Sequence, residues 1–368
     1  MKIIYITTVR MPTERAHGLQ IMKMCEAFAR LGHDVELVVP RRDNELSDNP
    51  FEYYNVKQIF RITTVSARGF VAYDRVGFWL HRVSFAYAAL KHAAHSDANL
   101  AYTRDEFIAW LLSFGSRRFV YEAHEGRWNF VVRRAAQRAA LVSVLTRGLK
   151  EFFTSRGVSE KKIVISPDAV DLKDFARPES REAARKRLEL PLDKKVVMYI
   201  GLIDEWKGTD TFFEAADKLP RDIVPAVIGG RPEQLAKLAE KYPRVRFLGF
   251  LPYRELASNQ AAADLLILPN SARHAISARD TSPLKLFTYM ASGVPILASD
   301  LPSLREVLDE KTAVFFKPDD SGACARAIAE ALANEDAMQA RAREALIQVR
   351  AYTWHTRAEK ILEAFKAL

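Results

Sequence analysis

The chain alternates short apolar runs rich in β-branched residues with longer stretches whose apolar residues recur at helical spacing. The first apolar run covers Lys2–Thr8, a helical pattern extends from Gly18 through Arg30, and Asp34–Pro40 is the next apolar run. Strands that alternate with helices assemble into parallel sheets that carry helices on both faces. The pattern therefore predicts an α/β fold of the Rossmann-like kind.

The second half of the chain repeats this design. Lys195–Gly201 is an apolar strand, Leu202–Gly208 is a loop, and Thr209–Leu219 is a helical stretch that leads into further strands and helices. Two such halves predict two Rossmann-like domains that face a cleft. Ligands of such domains bind at the carboxyl ends of the strands.

A length of 368 residues also favours two domains, because one core of ordinary size does not extend over so long a chain. The charged stretch between Asp171 and Leu192 contains two prolines and separates the halves. We expect the first domain at residues 1–175 and the second at residues 176–350. The remaining segment, residues 351–368, has the spacing of an amphipathic helix.

The composition is that of a globular protein, with 49% hydrophobic and 27% charged residues. Cys25 and Cys324 are the only cysteines, which excludes a disulfide framework and fits a reducing cytoplasm. No run of about 18 apolar residues is free of charge, so we expect no membrane-spanning helix. The net charge of +9 predicts an anionic partner.

Asp280–Gly293 is the stretch most informative about chemistry. Ser282 and Pro283 predict a helix start, with serine as the capping residue and proline at the first helical position. The free N–H groups of such a start suit a phosphate. The Asp280 carboxylate just before it can accept hydrogen bonds from sugar hydroxyls. The spacing alone is equally compatible with a capped helix beneath a loop.

This stretch resembles the donor-site signature of the family-four retaining glycosyltransferases, which have the GT-B fold and two acidic residues separated by seven others. Asp280 matches the first acidic residue. Thr288 stands in place of the second, a glutamate that typically holds the donor ribose, and its single hydroxyl lacks the charge-assisted pair of a carboxylate. The donor-binding residues that the resemblance implies here are Ser282, Pro283, Leu284, Lys285 and Thr288.

Tyr199–Gly201 followed by Trp206–Gly208 resembles the strand–loop–helix with which the family grips the donor diphosphate. The resemblance implies that Gly201 and Lys207 bind the donor and that Lys207 takes part in catalysis. A cation opposite the diphosphate stabilises the departing charge, an effect often worth about 3 kcal/mol. Leu202 stands where the family commonly has an arginine, so one of two expected cations is absent.

In the first domain, Arg15–Gln20 resembles the family loop after the first strand, where Gly18 would let the backbone approach the diphosphate. Val120–Glu125 resembles a family motif whose histidine, here His124, lies beside the transferred sugar and the acceptor. A lone histidine at the end of a strand can also be structural. The similarity extends over nearly the whole chain, and it implies that the C-terminal helix returns to the first domain.

The first half is strongly basic, with twelve arginines and six acidic residues between Arg61 and Arg147. In Arg75–His95, apolar positions 76, 79, 80, 83, 87 and 90 have helical spacing and predict a core face. A second face carries Phe78, Arg82 and Phe85. Basic and aromatic residues on one helix suit an anionic bilayer surface, although both faces can equally be buried. Nucleic acid is not expected, because no recognisable module is present.

No metal or cofactor is expected, because the sequence has no zinc-type spacing, Asp-x-Asp site, dinucleotide fingerprint or phosphate-binding P-loop. The resemblance implies that protein cations and helix dipoles neutralise the leaving group. We therefore expect a retaining glycosyltransferase that moves a hexosyl unit from a UDP- or GDP-linked sugar to a glycan or lipid-linked acceptor. Its expected place is cell-envelope polysaccharide synthesis, in the cytoplasm or at the inner face of the membrane.

Two alternatives stay open. Other GT-B chemistry, such as epimerisation or phosphorolysis of a sugar, would use the same cleft with different polar groups. A catalytically degenerate GT-B protein that binds a sugar or a partner is favoured by Leu202 and Thr288.

Overall fold

The computed structural model describes residues 1–42, 46, 48–66 and 75–368. These residues form two compact units. The first contains Met1–Pro167 and Trp354–Leu368, and the second contains Asp168–Thr353. Each unit is built on a parallel sheet with helices between the strands, which confirms the predicted class of two Rossmann-like α/β domains.

The first unit contains a seven-stranded sheet in the order β3-β2-β1-β4-β5-β6-β7. The elements, in chain order, are β1 Lys2–Ile6, α1 Ala16–Arg30, β2 Asp34–Pro40, α2 Pro50–Tyr53, β3 Arg61–Val65, α3 Arg75–His95, β4 Leu100–Thr103, α4 Glu106–Leu112, β5 Phe119–Ala123, α5 Phe130–Arg138, β6 Leu141–Val144, α6 Arg147–Thr154 and β7 Ile163–Ile165.

The second unit contains a six-stranded sheet in the order β10-β9-β8-β11-β12-β13. The remaining elements are α7 Arg181–Arg187, β8 Lys195–Ile200, α8 Thr209–Ala216, β9 Ile223–Ile228, α9 Pro232–Lys241, β10 Arg246–Phe247, α10 Leu256–Ala261, β11 Leu265–Leu268, α11 Leu284–Ser292, β12 Ile296–Ser299, α12 Pro302–Arg305, β13 Val314–Phe316, α13 Ser321–Ala333, α14 Glu335–Gln348 and α15 Trp354–Lys366. Of these, α15 belongs to the first unit.

Each sheet reverses its strand order at one central strand. In the first unit this strand is β1, where Ile4 lies opposite Glu36 on one side and Ala101 on the other. In the second unit it is β8, where Met198 lies between Ala226 and Leu266. Such reversal points open a crevice at the carboxyl ends of the strands, which is where ligands of doubly wound sheets bind.

The strands are apolar on both faces because helices cover both faces of each sheet. Along β8, Val196 and Met198 pack into one hydrophobic cluster, whereas Val197 and Tyr199 pack into another. Successive side chains of a strand point to opposite faces, so two cores sandwich the sheet of the second unit.

The first segment of the first unit ends at Pro167, so the boundary that we placed after residue 175 lies inside the second unit. The backbone N–H of Val170 donates to the carbonyl of Tyr352 at 3.0 Å. Leu172 and Phe175 pack against the core of the second unit. These contacts hold the segment after Pro167 to the second unit.

The core face that we predicted for α3 is wrong at four positions, although Leu90 does pack against the core of the first unit. Trp79, Leu80, Val83 and Tyr87 are exposed. The buried face instead carries the small side chains Ala86, Ala89 and Ala93 together with Phe85 and His81. Alanines let a helix approach its neighbours closely, and the large apolar side chains are left on the opposite face. Positions 75, 76 and 78 of the predicted faces lie outside the described side chains.

Candidate functional site

Gly201 follows the last residue of β8 at the carboxyl edge of the second sheet. Its φ of +148° is a conformation that other residues rarely adopt. A Cβ at this position would lie 2.7 Å from the Nζ atom of Lys285, so the space beside the strand end is taken by an amino group. The glycine therefore brings a bare backbone and a lysine side chain together.

Lys207 stands in the turn between β8 and α8, with its Nζ 3.2 Å from the Oδ2 atom of Asp204. Its side chain is only 12% exposed. Burial lowers the pKa of Lys207, and the attraction of Asp204 opposes this shift. Gly208, the next residue, has φ +63°, and a Cβ there would come within 2.0 Å of the carbonyl oxygen of Pro269. This close approach fixes the start of α8 against the end of β11.

Lys285 provides a second cation at the same strand end. Its Nζ donates a hydrogen bond of 2.5 Å to the hydroxyl of Tyr199 and lies 3.8 Å from the centre of that ring. The Tyr199 hydroxyl in turn donates to the carbonyl of Leu202 at 2.8 Å. Burial, followed by repulsion from Lys207, holds the pKa of Lys285 well below its usual value. Lys285 thus lies beside Gly201, and Lys207 is near enough for its charge to act on Lys285. For both amino groups, burial disfavours the charged form.

Asp280 ends a wide helical turn, Ile276–Asp280, and is almost fully buried. Its Oδ1 atom accepts a hydrogen bond of 2.7 Å from Nε of Arg279. The hydroxyl of Ser303 holds the same turn by donating to the Ser277 carbonyl at 2.6 Å. The carboxylate is therefore oriented by its neighbours before any ligand binds.

The helix start that we predicted at Ser282–Pro283 lies one residue further along. Helix α11 begins at Leu284, and Pro283 is its flanking residue. Ser282 does not cap the helix; its hydroxyl oxygen accepts a hydrogen bond of 3.4 Å from the backbone N–H of Asp168. Proline has no N–H, so the first donors of the helix are those of Leu284 and Lys285, which have no acceptor inside the helix.

The hydroxyl of Thr288 is engaged inside the second unit. It donates to the Lys285 carbonyl at 3.1 Å and accepts from the Nε2 atom of Gln260, also at 3.1 Å. Both side chains are buried. Gln260, on α10, is therefore a hydrogen-bond partner of Thr288. The hydroxyl proton of Thr288 is used in a hydrogen bond within α11.

In the first unit, His124 follows β5 and its Nε2 atom lies 2.6 Å from Oε1 of Glu122. Burial, followed by repulsion from Arg104, lowers the pKa of His124 to about 4. The ring is consequently neutral at pH 7. His17, in the first turn of α1, has its pKa lowered to about 4 by burial and then by the charges of Arg104 and Arg15.

Glu122 is completely buried and contacts residues from distant parts of the chain. Its partners are the Nη2 atom of Arg357 at 3.1 Å, the Nε2 atom of Gln20 at 2.5 Å and the hydroxyl of Tyr102. Burial opposes its charge, but Arg357 and His124 hold the pKa of Glu122 well below its usual value. We did not single out these residues from the sequence, although Gln20 and Glu122 lie in the two motifs quoted for this domain.

Gly18 lies in the first turn of α1, where a Cβ would come within 2.1 Å of the Tyr54 hydroxyl. That hydroxyl donates to the Thr13 carbonyl at 2.6 Å. The structure thus gives Gly18 a packing role against Tyr54, while its approach to a diphosphate stays a prediction.

Two family descriptions match the chain one after the other. Residues 18–174 match Glycosyltransferase Family 4, and residues 180–349 match Glycosyl transferases group 1. The chain belongs to glycosyltransferase family 4. Together the matches cover most of both units, and the second includes Gly201, Lys207 and the Asp280–Gly293 stretch.

Curated relatives in the family include two proteins named D-inositol 3-phosphate glycosyltransferase. The protein from Mycobacterium leprae strain Br4923 is 28% identical over 311 residues, which cover 81% of this chain and 66% of the relative. The protein from Corynebacterium urealyticum is 29% identical over 223 residues, covering 56% of this chain and 51% of the relative. The chain therefore spans between half and just under two thirds of the length of these relatives.

Solved structures with a similar backbone fold confirm the GT-B fold. Sucrose-phosphate synthase from Thermosynechococcus elongatus has a TM-score of 0.80 at 20% identity, covering all of this chain and 98% of the other. HepE from Anabaena, solved in complex with UDP-glucose, has a TM-score of 0.79 at 16% identity and is covered completely.

The described part of the chain contains no group of three His, Cys, Asp or Glu residues arranged to hold a metal ion. Within the same residues, no helix combines the length and the apolar character needed to cross a bilayer.

Proposed function

We propose that this family-4 protein is a retaining glycosyltransferase that moves a hexosyl unit from a UDP- or GDP-linked sugar to a glycan or lipid-linked acceptor. The observation that carries the proposal is the pair of partly buried lysines, Lys207 and Lys285, whose charges repel each other, with Lys285 beside the bare backbone at Gly201. Family membership and the UDP-glucose complex of a structural neighbour support a nucleotide sugar as donor.

The donor diphosphate would lie at the carboxyl end of β8. Gly201, which has no side chain, permits the diphosphate to approach the backbone closely. Lys207 and Lys285 supply positive charges that burial disfavours in the absence of an anion. The free N–H groups of Leu284 and Lys285 at the start of α11 also suit an anionic ligand such as a phosphate. An anion relieves the repulsion between the lysines, and this stabilisation increases as the leaving group gains charge. In this arrangement Lys285 compensates for the arginine that is absent at position 202.

The sugar would be positioned by Asp280 and His124. Asp280 is oriented by Arg279, and a carboxylate held in this way accepts hydrogen bonds from sugar hydroxyls. His124 is neutral at pH 7 and thus brings a hydrogen-bonding ring without a charge that would repel the carbocation-like sugar. The acceptor hydroxyl would enter from the first unit.

For the reaction itself we propose attack on the same face from which the leaving group departs. The acceptor oxygen forms a bond to the anomeric carbon while the bond from that carbon to the diphosphate oxygen breaks. The acceptor proton moves to the departing phosphate oxygen, which lies on that face. No enzyme nucleophile is required, and Lys207 stabilises the diphosphate as it leaves. No metal or cofactor is part of the proposal.

We further propose that the enzyme works at the cytoplasmic face of the membrane, in the synthesis of a cell-envelope polysaccharide. The aromatic patch, defined as Trp79, Phe107, Trp110, Phe114 and Phe130, supports this proposal. Trp79 contacts Phe107, and Phe107 contacts Trp110, whose ring also contacts both Phe114 and Phe130. Phe130 is 74% exposed.

Arginines accompany these rings. The guanidinium of Arg82 lies 5.4 Å from the Trp79 ring, and that of Arg134 lies 3.9 Å from the Phe114 ring. Exposed aromatic rings interleaved with arginines suit the headgroup region of an anionic bilayer. The proposed surface therefore includes the exposed face of α3 but extends beyond it.

A second candidate function is binding of a sugar or partner without catalysis. The engagement of Thr288 with Gln260 and the presence of Leu202 favour it, because both positions lack the charged group typical of the family.

A product assay decides between these candidates. The purified protein is incubated with UDP- and GDP-linked hexoses and candidate acceptors, and the anomeric configuration of the product is determined by NMR. Retention of configuration supports the proposal, whereas inversion, or an epimer or sugar phosphate as product, contradicts it. The K207A variant should lower turnover by about 100-fold. Its control is K237A, which removes an exposed lysine of α9 in the same unit.

A further inference from the structure

We propose that Glu122 and Arg357 form a positioning pair that fixes the ring of His124 with its proton on Nε2 and its Nδ1 atom as a hydrogen-bond acceptor. The inference rests on the proposed function, because it takes His124 to lie beside the transferred sugar. It assigns a role in the reaction to two residues outside the family's donor signature.

Glu122 and His124 stand two residues apart at the end of β5, so their side chains leave the strand on the same side. The Oε1 atom of Glu122 lies 2.6 Å from Nε2 of His124. An ionised carboxylate only accepts hydrogen bonds, so the imidazole must be the donor through Nε2. A neutral imidazole carries one proton, and Nδ1 is then left with its lone pair.

Arg357 keeps that carboxylate ionised. Its two terminal nitrogens lie 3.1 and 3.3 Å from the two oxygens of Glu122. Its Nε donates to the carbonyl of Pro167 at 2.9 Å, which fixes the plane of the guanidinium. The side chain is 2% exposed. A planar guanidinium that faces both oxygens of a carboxylate stabilises its negative charge and limits its orientation.

Other groups around the ring of His124 favour its neutral form. Gln20 donates to Glu122 at 2.5 Å and lies 3.4 Å from Nε2 of His124. The Oε1 atom of Gln20 accepts from Arg104, whose positive charge disfavours a charged ring. The titratable and charged groups that act on His124 or its partner carboxylate are Glu122, Arg104, Arg357, His17 and Tyr102.

A buried ion pair is not needed to hold two elements together, since well-packed apolar residues often do so equally well. The chain offers a second buried pair for comparison. Arg185 of α7 lies 2.6 Å from Asp264, next to the start of β11. Asp264 accepts from the backbone N–H of Val196 at 2.7 Å, so this pair binds backbone and no histidine. It is the matched control.

The test uses the chain of 368 residues with the double substitution E122Q/R357M, which removes both charges and so leaves neither charge without its partner. The control carries R185M/D264N. Nitrogen-15 NMR of labelled histidine reports the tautomer of His124, which is identified by the signal missing from H124N. The second readout is the pH profile of kcat together with KM for the donor.

We expect the wild-type ring to carry its proton on Nε2 alone. In E122Q/R357M, we expect signals of both tautomers, a shifted pH profile, and a fall in kcat of at least about tenfold with KM changed by less than about twofold. In R185M/D264N, the tautomer and the pH profile should match the wild type even if stability falls.

An unchanged tautomer and an unchanged pH profile in E122Q/R357M would overturn the positioning role and leave the proposed function standing. A mixed tautomer in a protein that transfers no sugar would instead support control of the ring by the pair and contradict the proposed function. R357K, which keeps the charge but loses the planar fork, should lie between wild type and the double variant in kcat.

Discussion

The Nε2 atom of Gln260 donates a hydrogen bond of 3.1 Å to the hydroxyl of Thr288. Both residues are buried, and the same hydroxyl donates to the carbonyl of Lys285. Position 288, which holds a glutamate in the typical donor signature, is thus part of an internal contact between α10 and α11. Because of this contact, a substitution at position 288 can change the free energy of unfolding without changing the affinity for the donor.

The first prediction concerns this contact. T288V keeps the shape of the side chain and leaves the Gln260 amide without an acceptor, so the free energy of unfolding should fall by about 1–3 kcal/mol. The Kd of the donor nucleotide should change by less than about twofold, because the Thr288 hydroxyl already makes two hydrogen bonds inside the second unit. Chemical denaturation and calorimetric titration measure the two quantities. A loss of nucleotide affinity with unchanged stability would show that Thr288 serves the ligand instead.

A glutamate at the same position gives the complementary result. T288E restores a carboxylate that can accept from Gln260, and a charge-assisted contact to the ribose should strengthen nucleotide binding by about tenfold.

Gly208 tests the close approach between the start of α8 and the end of β11. In G208A, the new Cβ would meet the Pro269 carbonyl, a backbone atom that cannot move aside easily. In G249A, the backbone also has positive φ but no atom lies within 4 Å of the added Cβ. We expect G208A to lower the free energy of unfolding by about 2 kcal/mol more than G249A does. Equal losses in the two variants would mean that only the backbone conformation matters.

Much of this architecture follows from the sequence, for a physical reason. Strands covered on both faces must be continuously apolar, so the runs at Lys2–Thr8 and Lys195–Gly201 identify β1 and β8 as buried strands. The residues that follow a strand lie at its carboxyl end, so the places of Gly201 and Lys207 follow from the pattern, whereas their binding of the donor is implied by the family resemblance and stays a prediction.

Contacts between distant residues could not be predicted in this way. Glu122 and Arg357 are separated by 235 positions, and nothing in the local pattern around either residue indicates the other. The orientation of α3 was missed for a different reason. Alanines bury little area each, so a face made of Ala86, Ala89 and Ala93 gives a weaker signal than Trp79 and Leu80, which the protein leaves exposed.

The pKa of His124 predicts how stability depends on pH. The folded-state pKa of about 4 lies below the unfolded value of 6.5, so the unfolded chain binds more protons between these values. The contribution of His124 to stability is therefore present above pH 6.5 and is lost as the pH falls towards 4, by about 2 kcal/mol between pH 7 and pH 5.

Urea denaturation at several pH values checks this dependence, with H124N as the variant. The slope should be shallower in H124N, with the remaining slope coming from His17, whose pKa is lowered to about 4 in the same direction. A wild-type slope that H124N leaves unchanged would contradict a neutral, partly buried ring.

The aromatic patch predicts binding to anionic vesicles. W79S/F130S removes two exposed rings, and the partition coefficient on vesicles with phosphatidylglycerol should fall by about tenfold or more. I347S, which removes an exposed apolar side chain of the second unit, should bind as the wild type does. Sedimentation with vesicles measures both. Equal binding by W79S/F130S and wild type would exclude the patch as the membrane surface.

The central claim is that Lys207 and Lys285 form a nucleotide-sugar site, and thermal unfolding with and without nucleotides tests it most directly. The wild type is measured with UDP, GDP, their hexose conjugates and no ligand, alongside K207A and the control K237A. A ligand at about 100 times its Kd should raise the free energy of unfolding by roughly 2.7 kcal/mol. We predict stabilisation by one nucleotide class in the wild type and K237A, and a much smaller effect in K207A. No stabilisation of the wild type by any nucleotide at millimolar concentration would contradict the account.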